Sequence, residues 1–397
     1  MQIKDKSKKS GLSRFQIILM AIAAGASVAN IYYNQPILKE IAASFGSTEK
    51  EAGIVSMLSQ IGYGLGLFFI IPLGDKINKK KLILVLSAFL IISLFLMAVS
   101  SSIQQVWALS VLIGILSVSV QVIVPMAASL DPVNRGKTVG TVFSGILVGI
   151  LAARVFSGFI AELLGWRFVY GISGGLIFVL TLFIKFFLPD VENRFEGHYL
   201  ELLKSTLIQI KRFSQLRKVS LMGALVFGAF CSFWTTLTFK LSGAPFYFHP
   251  DIIGLFGLVA IAGALIAPLF GKMADRGQNR RSLFLALSFI IISLLFLKLI
   301  PDSVLVFVIA VLLLDIGTQI VQVTNMATIY SLDESSNSRI NTIFMTTIFI
   351  GGAFGTYAGL FCWQHGGWEM VLWQLILWNL AAASIIKFIH NNKAKVA

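Results

Sequence analysis

Long apolar runs alternate with short polar breaks along almost the whole chain. A membrane helix takes about 20 apolar residues to cross the hydrocarbon core. Runs of that order fall at 15–33, 50–72, 82–101, 105–129, 138–161 and 167–188, then at 219–241, 252–271, 282–300, 304–329, 340–362 and 369–389. These are twelve predicted spans, and an even number returns both termini to one side. The first run follows Lys4, Lys6, Lys8, Lys9 and Arg14, as the apolar part of a signal peptide follows a basic one. It is long enough to span and many more follow, so it reads as an uncleaved first helix. The one long polar stretch, 189–218, carries Leu200, Leu203, Leu207 and Ile210 at helical spacing between basic residues, which suits an amphipathic helix on the inner leaflet.

Composition excludes a soluble globular protein. Of 397 residues 57% are apolar and 13% charged, with a mean hydropathy of +0.85, against about 45–50% and about 25% in soluble domains. The formal charge is +14. In a membrane protein such an excess marks cytoplasmic loops rather than a nucleic-acid partner. With the N-terminus in the cytoplasm, about 26 of the 32 Lys and Arg fall inside, among them Lys76, Lys79, Lys80 and Lys81, then Arg135 and Lys137, then Lys272, Arg276, Arg280 and Arg281. Cys231 and Cys362 lie in apolar runs and have no metal-ligand spacing. There is no phosphate loop and no His/Cys cluster, so neither an enzyme nor a cofactor or metal site is expected. An ion gradient is then the available energy source.

The chain also repeats itself. Asp75-Lys76 with Lys80-Lys81 returns as Asp275-Arg276 with Arg280-Arg281, and Val120-Gln121-Val122 as Val321-Gln322-Val323. Ser129-Leu130-Asp131 returns as Ser331-Leu332-Asp333, Arg135 as Arg339, and Gly165-Trp166 as Gly367-Trp368, all at offsets of 200 to 204. The expected architecture is all-α: an N-terminal six-helix bundle over 1–188, a cytoplasmic linker over 189–218, and a C-terminal six-helix bundle over 219–397. Two such halves can rock about a site near the bilayer midplane.

Asp315 is the residue best placed to carry chemistry. It lies about eleven residues into the tenth span, where an acid costs about 2.5–3.5 kcal/mol. Apolar surroundings penalise the carboxylate and favour a proton on it. Thr318, Gln319 and Gln322 follow at i+3, i+4 and i+7, on one face. Arg154 in the fifth span keeps its charge and needs a partner or water. Three readings stay open: a pair with Asp315, an anionic substrate group, or a side chain reaching the outer surface near Glu162. Asn30, Tyr33 and Asn34 end the first span, as ligand contacts or as an interfacial cap. Ser117 and Gln121 form a similar pair in the fourth, and Trp234, Thr235 and Thr238 give the seventh a stacking surface and hydroxyls.

On Gly74-Asp75-Lys76 after the second span, its counterpart at 271–281 after the eighth, and the glycine-rich fifth span, the chain resembles the major facilitator superfamily. The runs from Asn30 to Pro36 and from Asp315 to Gln319, with Arg135-Gly136, are similar to a bacterial exporter subgroup close to the drug:proton antiporters. The resemblance implies that spans one, four, seven and ten line a central cavity. It also implies that Asp75, Lys76, Arg135, Asp275, Arg276 and Arg339 form a cytoplasmic latch between the halves. Ile71 and Asn78 replace usual glycines of that latch, and the fifth span lacks the usual Gly-Pro pair. The expected function is a proton-coupled secondary transporter in the bacterial cytoplasmic membrane, both termini inside, exporting small amphipathic organic compounds. The alternatives are import of a small, anionic metabolite and a non-transporting sensor. Expected partners are the small-molecule substrate, protons and membrane lipid, and one chain already holds both halves of a functional monomer.

Overall fold

A computed structural model describes residues 12–191, 198–259, 278–333 and 336–389. In chain order the helices are α1 (Arg14–Ala29), α2 (Leu38–Phe45), α3 (Glu49–Phe69), α4 (Leu73–Lys76), α5 (Lys79–Ala98), α6 (Ile103–Leu116), α7 (Ser119–Leu130), α8 (Arg135–Leu164) and α9 (Trp166–Phe187). There follow α10 (Tyr199–Arg212), α11 (Ser214–Ser242), α12 (Pro250–Val259), α13 (Asn279–Leu299), α14 (Val304–Tyr330) and α15 (Asn337–Ile386). No strand occurs among the described residues. Among the described residues nine helical stretches are long and apolar enough to cross a membrane, and α1 and α12 are shorter apolar helices. The remainder of the expected eighth span lies outside the described residues.

Helix ends follow their sequence signals. Ser13 with Gln16 and Thr48 with Glu51 form reciprocal capping boxes. The long helix α15 is broken at Gly366 and Gly367, the latter at φ 58°, a conformation open chiefly to glycine. Ser232 of α11 accounts for the path. It lies against Gly359 on one side of the break and donates to Gln374 on the other, at 2.8 Å. The chain therefore folds back at the two glycines, and both arms lie along α11.

Each half contains the same kind of helix crossing. A side chain at Gly145 or Gly149 of α8 would strike the backbone of Ala21 or Gly25 in α1. In the second half, one at Gly351 or Gly355 of α15 would strike Ala224 or Gly228 of α11. Small residues four apart let backbones touch and add dispersion and polar contacts where lipid gives no hydrophobic drive. The internal repeat is thus written into packing, with Gly25 and Gly228 in matching places.

Helices α1, α3 and α5 to α9 pack on one another, as do α11 and α13 to α15. The sets meet where α3 lies along α15, and where α8 touches α12 at Gly158 and Gly254. The linker helix α10 buries Leu202, Thr206 and Gln209, while Leu200 and Leu207 of the expected apolar stripe stay exposed. It is tied to both sets: Tyr199 donates to the Phe69 carbonyl at 2.5 Å, and Arg212 pairs with Asp333 at 2.7 Å.

Candidate functional site

The centre is built where α1 gives out. After Ala29 the chain passes through turns to a short 3₁₀ segment, Gln35–Ile37, with Pro36 inside it. This tighter winding brings Tyr32 and Gln35 to face Arg154 of α8. Arg154 is 1% exposed. Its Nε donates to Gln35 Oε1 at 2.7 Å, and its guanidinium carbon lies 3.9 Å from the ring centre of Trp234 on α11. Tyr32 at 5.3 Å and Phe230 at 6.0 Å complete an aromatic surround. A cation over an aromatic face contributes about 2 kcal/mol or more when desolvated.

What remains open is the outer edge of the fork. Arg154 Nη1 and Nη2 are buried without a hydrogen-bond partner among the described residues. Asp315 of α14, 3% exposed, faces it electrostatically from the second half, and its Oδ2 is likewise without a partner. The two groups stop short of a direct ion pair. Buried so deeply, Arg154 does not reach towards the outer surface or Glu162, and that reading is overturned. Aromatic stacking and the Gln35 bond hold the guanidinium at depth, where snorkelling would have drawn it outwards.

Two more open groups lie on α11: Trp234 Nε1 and Thr235 Oγ1, both buried and unpartnered. Thr238 instead donates to the Gln35 carbonyl at 2.7 Å and ties the halves together. Gln319 and Gln322 are half-buried on α14. Gln322 lines a small cavity with Thr318, Asn325, Phe227 and Ile348. Gln121 donates to the Tyr63 hydroxyl at 3.1 Å, and Ser117 to its own helix at the Ile113 carbonyl.

Asn30, Tyr33 and Asn34 are not brought to this centre. Asn30 donates to the carbonyls of Ala26 and Ser27 and accepts from Ser173. Asn34 donates to the Ile31 carbonyl and accepts from Ser56, and Tyr33 packs on Phe156 at 5.5 Å. All three hold the first half together. Sequence reasoning passed over Tyr32 and Phe230, and read Gln35 only as part of the end of the first span, because an aromatic or amide in an apolar run does not say which way it faces. It also passed over Gly254 and Gly257, which let α12 close onto the backbone and Cβ of Arg154.

At the end expected to face the cytoplasm, Asp75 is exposed and within electrostatic reach of Lys79 and Arg339. Lys76 and Arg135 are exposed too, and Asp275 and Arg276 lie outside the described residues. At the opposite end the halves are joined by direct bonds. Lys39 donates to the Ser242 carbonyl and Trp363 to Glu49, both at 2.7 Å, and deeper along α3 Thr356 donates to Gln60 at 3.1 Å. His249 lies 3.4 Å from Glu162.

Comparison with known proteins places this geometry. Residues 20–356 match the family model of the Major Facilitator Superfamily. The chain is 37% identical over 361 residues to the uncharacterized transporter YgaY of Escherichia coli O157:H7, covering 91% of this chain and 92% of that one. It is 26% identical over 276 residues to the inner membrane transport protein YnfM of Escherichia coli K12, covering 68% and 66%. Among solved structures it is similar to a bacterial homolog of the human lysosomal transporter Spinster, inward-facing and unoccupied, at a TM-score of 0.70 and 13% identity over 97% of this chain and 95% of that one. It is also similar to the POT family transporter PepTSo, at 0.69 and 15% over 95% and 97%. An all-helical chain with a duplicated helix crossing, a family model spanning most of its length and relatives that are transporters belongs to the major facilitator superfamily.

Proposed function

We propose that this transporter is a secondary active one, driven by protons and working by alternating access. It would lie in the bacterial inner membrane with both termini in the cytoplasm, as the charge pattern and the name of its relative YnfM suggest. Asp315 takes and releases the proton, and Arg154 is the fixed charge it faces. One observation carries the reading: a titratable acid and a permanent cation, one from each half, oppose each other in the buried interface with atoms left open. Leaving such groups unmade costs about 1–3 kcal/mol each, and more when charged. A purely structural pair would close into contact. Tyr32, Gln35, Trp234, Gln319 and Gln322 border the substrate path, and Asp75 with Arg339 forms the cytoplasmic gate.

Likeness to the drug:proton antiporters supports export of small amphipathic organic compounds. The open edge of Arg154 favours a second reading, import of a small anionic metabolite with the proton. Inside-out vesicles energised by respiration test the coupling. Addition of the transported compound should change the lumenal pH, rising for antiport and falling no further for a passive carrier. The Asp315→Asn protein should lose proton-driven accumulation, its internal and external concentrations of compound becoming equal, while still exchanging labelled for unlabelled compound. Undiminished pumping by Asp315→Asn would remove Asp315 from the mechanism.

A further inference from the structure

We infer that the open edge of Arg154 is the receptor for a planar oxyanion, a carboxylate borne on a flat apolar body, and that this anion binds together with a proton on Asp315. The inference rests on the proton-coupled reading above and chooses the chemistry within it.

The donors point one way. Gln35 takes up Nε and Trp234 covers one face of the guanidinium, so the ion is fixed in plane while Nη1 and Nη2 stay free. Two parallel N–H groups in a fixed fork match a carboxylate bidentately and match little else so well. Trp234 Nε1, on the ring that covers the guanidinium, is a further open group. Tyr32, Phe230 and Trp234 form aromatic walls, which favour a flat ring behind the anionic group. A cationic ligand would meet this guanidinium as a like charge, which costs several kcal/mol across a desolvated interface.

Charge balance then fixes the coupling. Around Arg154 the charged or titratable neighbours are Asp315 on α14, Tyr32 in the first span and Cys231 on α11. The acids and bases of α13 sit at its ends (Arg280, Arg281 and Lys298); those of α15 are Arg339 at its start and His365 and Glu369 at the glycine break, with Cys362 one turn before it, and α12 has only Asp251 at its start. Arg154 is therefore the one counter-charge for Asp315 among the described residues. If a carboxylate takes the guanidinium, Asp315 is left buried beside a second anion, and a proton neutralises it. Anion and proton enter as a pair, the stoichiometry of cotransport. No bond is made or broken other than the O–H on Asp315.

Purified full-length protein, 1-naphthoate and its neutral analogue 1-naphthamide provide the test, read by quenching of tryptophan fluorescence and by the ligand-induced rise in Tm. The expected result is saturable binding of 1-naphthoate that tightens up to about tenfold per unit fall in pH, the limit for one linked proton. Binding takes up one proton in weakly buffered solution, and 1-naphthamide binds at least about tenfold more weakly. In Asp315→Asn, 1-naphthoate should still bind, with its pH dependence and proton uptake gone. Arg154→Gln should lose 1-naphthoate binding; if that variant does not fold, the Asp315→Asn profile decides alone. Equal binding of the amide, no binding of the naphthoate at any pH, or pH-independent binding to the wild type overturns the inference. Failure of the broader reading looks different: there Asp315→Asn would pump normally, whatever naphthoate does.

Discussion

The interface between the two halves is built differently at its centre and at the end expected to face outside. At that end, donors and acceptors meet directly: Trp363 with Glu49 and Lys39 with the Ser242 carbonyl. At the centre, Arg154 and Asp315 oppose each other with Nη1, Nη2 and Oδ2 unmatched. The charged partners in these bonds, Lys39 and Glu49, are exposed, so the bonds can part and be replaced by water at a cost of about 0.5–1.5 kcal/mol each. Buried charges cannot part so cheaply unless something else arrives to neutralise them. The end is a closure that opens readily, and the centre is the place where an arriving ligand or proton has most to gain.

The largest effect on stability comes from the centre. Gln35→Leu removes the acceptor of Arg154 Nε and leaves the guanidinium held by stacking alone. A hydrogen bond to a charged group contributes about 1.5–3 kcal/mol, and the stranded charge adds to the loss. The purified variant should melt several degrees lower than the wild type, and bound 1-naphthoate should recover part of the difference. A variant as stable as the wild type would mean that Arg154 finds another acceptor, and the centre would no longer be open.

Trp363→Phe tests the other end. It removes one neutral donor to Glu49, which is exposed and turns to water. The expected loss is about 1 kcal/mol, a shift of only a few degrees in Tm. Its mark is functional: with the closure loosened, exchange of labelled compound should speed up or hold steady while Tm falls. A loss as large as that of Gln35→Leu would erase the distinction between the two levels.

How much of this was legible in the sequence follows from the same physics. Apolar length alone gives the helices, because a bilayer leaves no other way to satisfy a backbone. Asp315 and Arg154 announce themselves as charges in apolar runs, since each would be costly without a task. Their surroundings do not. Projecting the first span as one regular helix puts Asn30 and Asn34 on a shared face, but α1 stops at Ala29 and the turns beyond it rotate that face into the first half. Tyr32 and Gln35 arrive at the centre by that rotation. Among 33 phenylalanines nothing in the pattern marks Phe230, and only Trp234 of the aromatic surround stands out. The fifth span is visibly glycine-rich in the sequence, whereas Gly254 and Gly257 needed the neighbouring helix to give them meaning.

The smallest expected effect is one of pH at the outer rim, on Glu40 of α2. Burial pushes its carboxyl up from 4.5 to about 7, and nearby Glu162 adds to the rise, while a backbone hydrogen bond, Lys39 and His249 oppose it. Its Oε2 is buried without a partner. The folded protein therefore holds this proton more tightly than the unfolded chain does. Stability from that difference is complete below about 4.5 and is lost as the pH rises through about 7. Tm of the wild type should fall between those two values, and the slope should flatten in Glu40→Gln. Because Glu40 is only half-buried and solvent screens its neighbours, the change should be smaller than that of Trp363→Phe. An unchanged slope in Glu40→Gln would assign the pH dependence to another acid, and the outer rim would then carry no unmatched charge of its own.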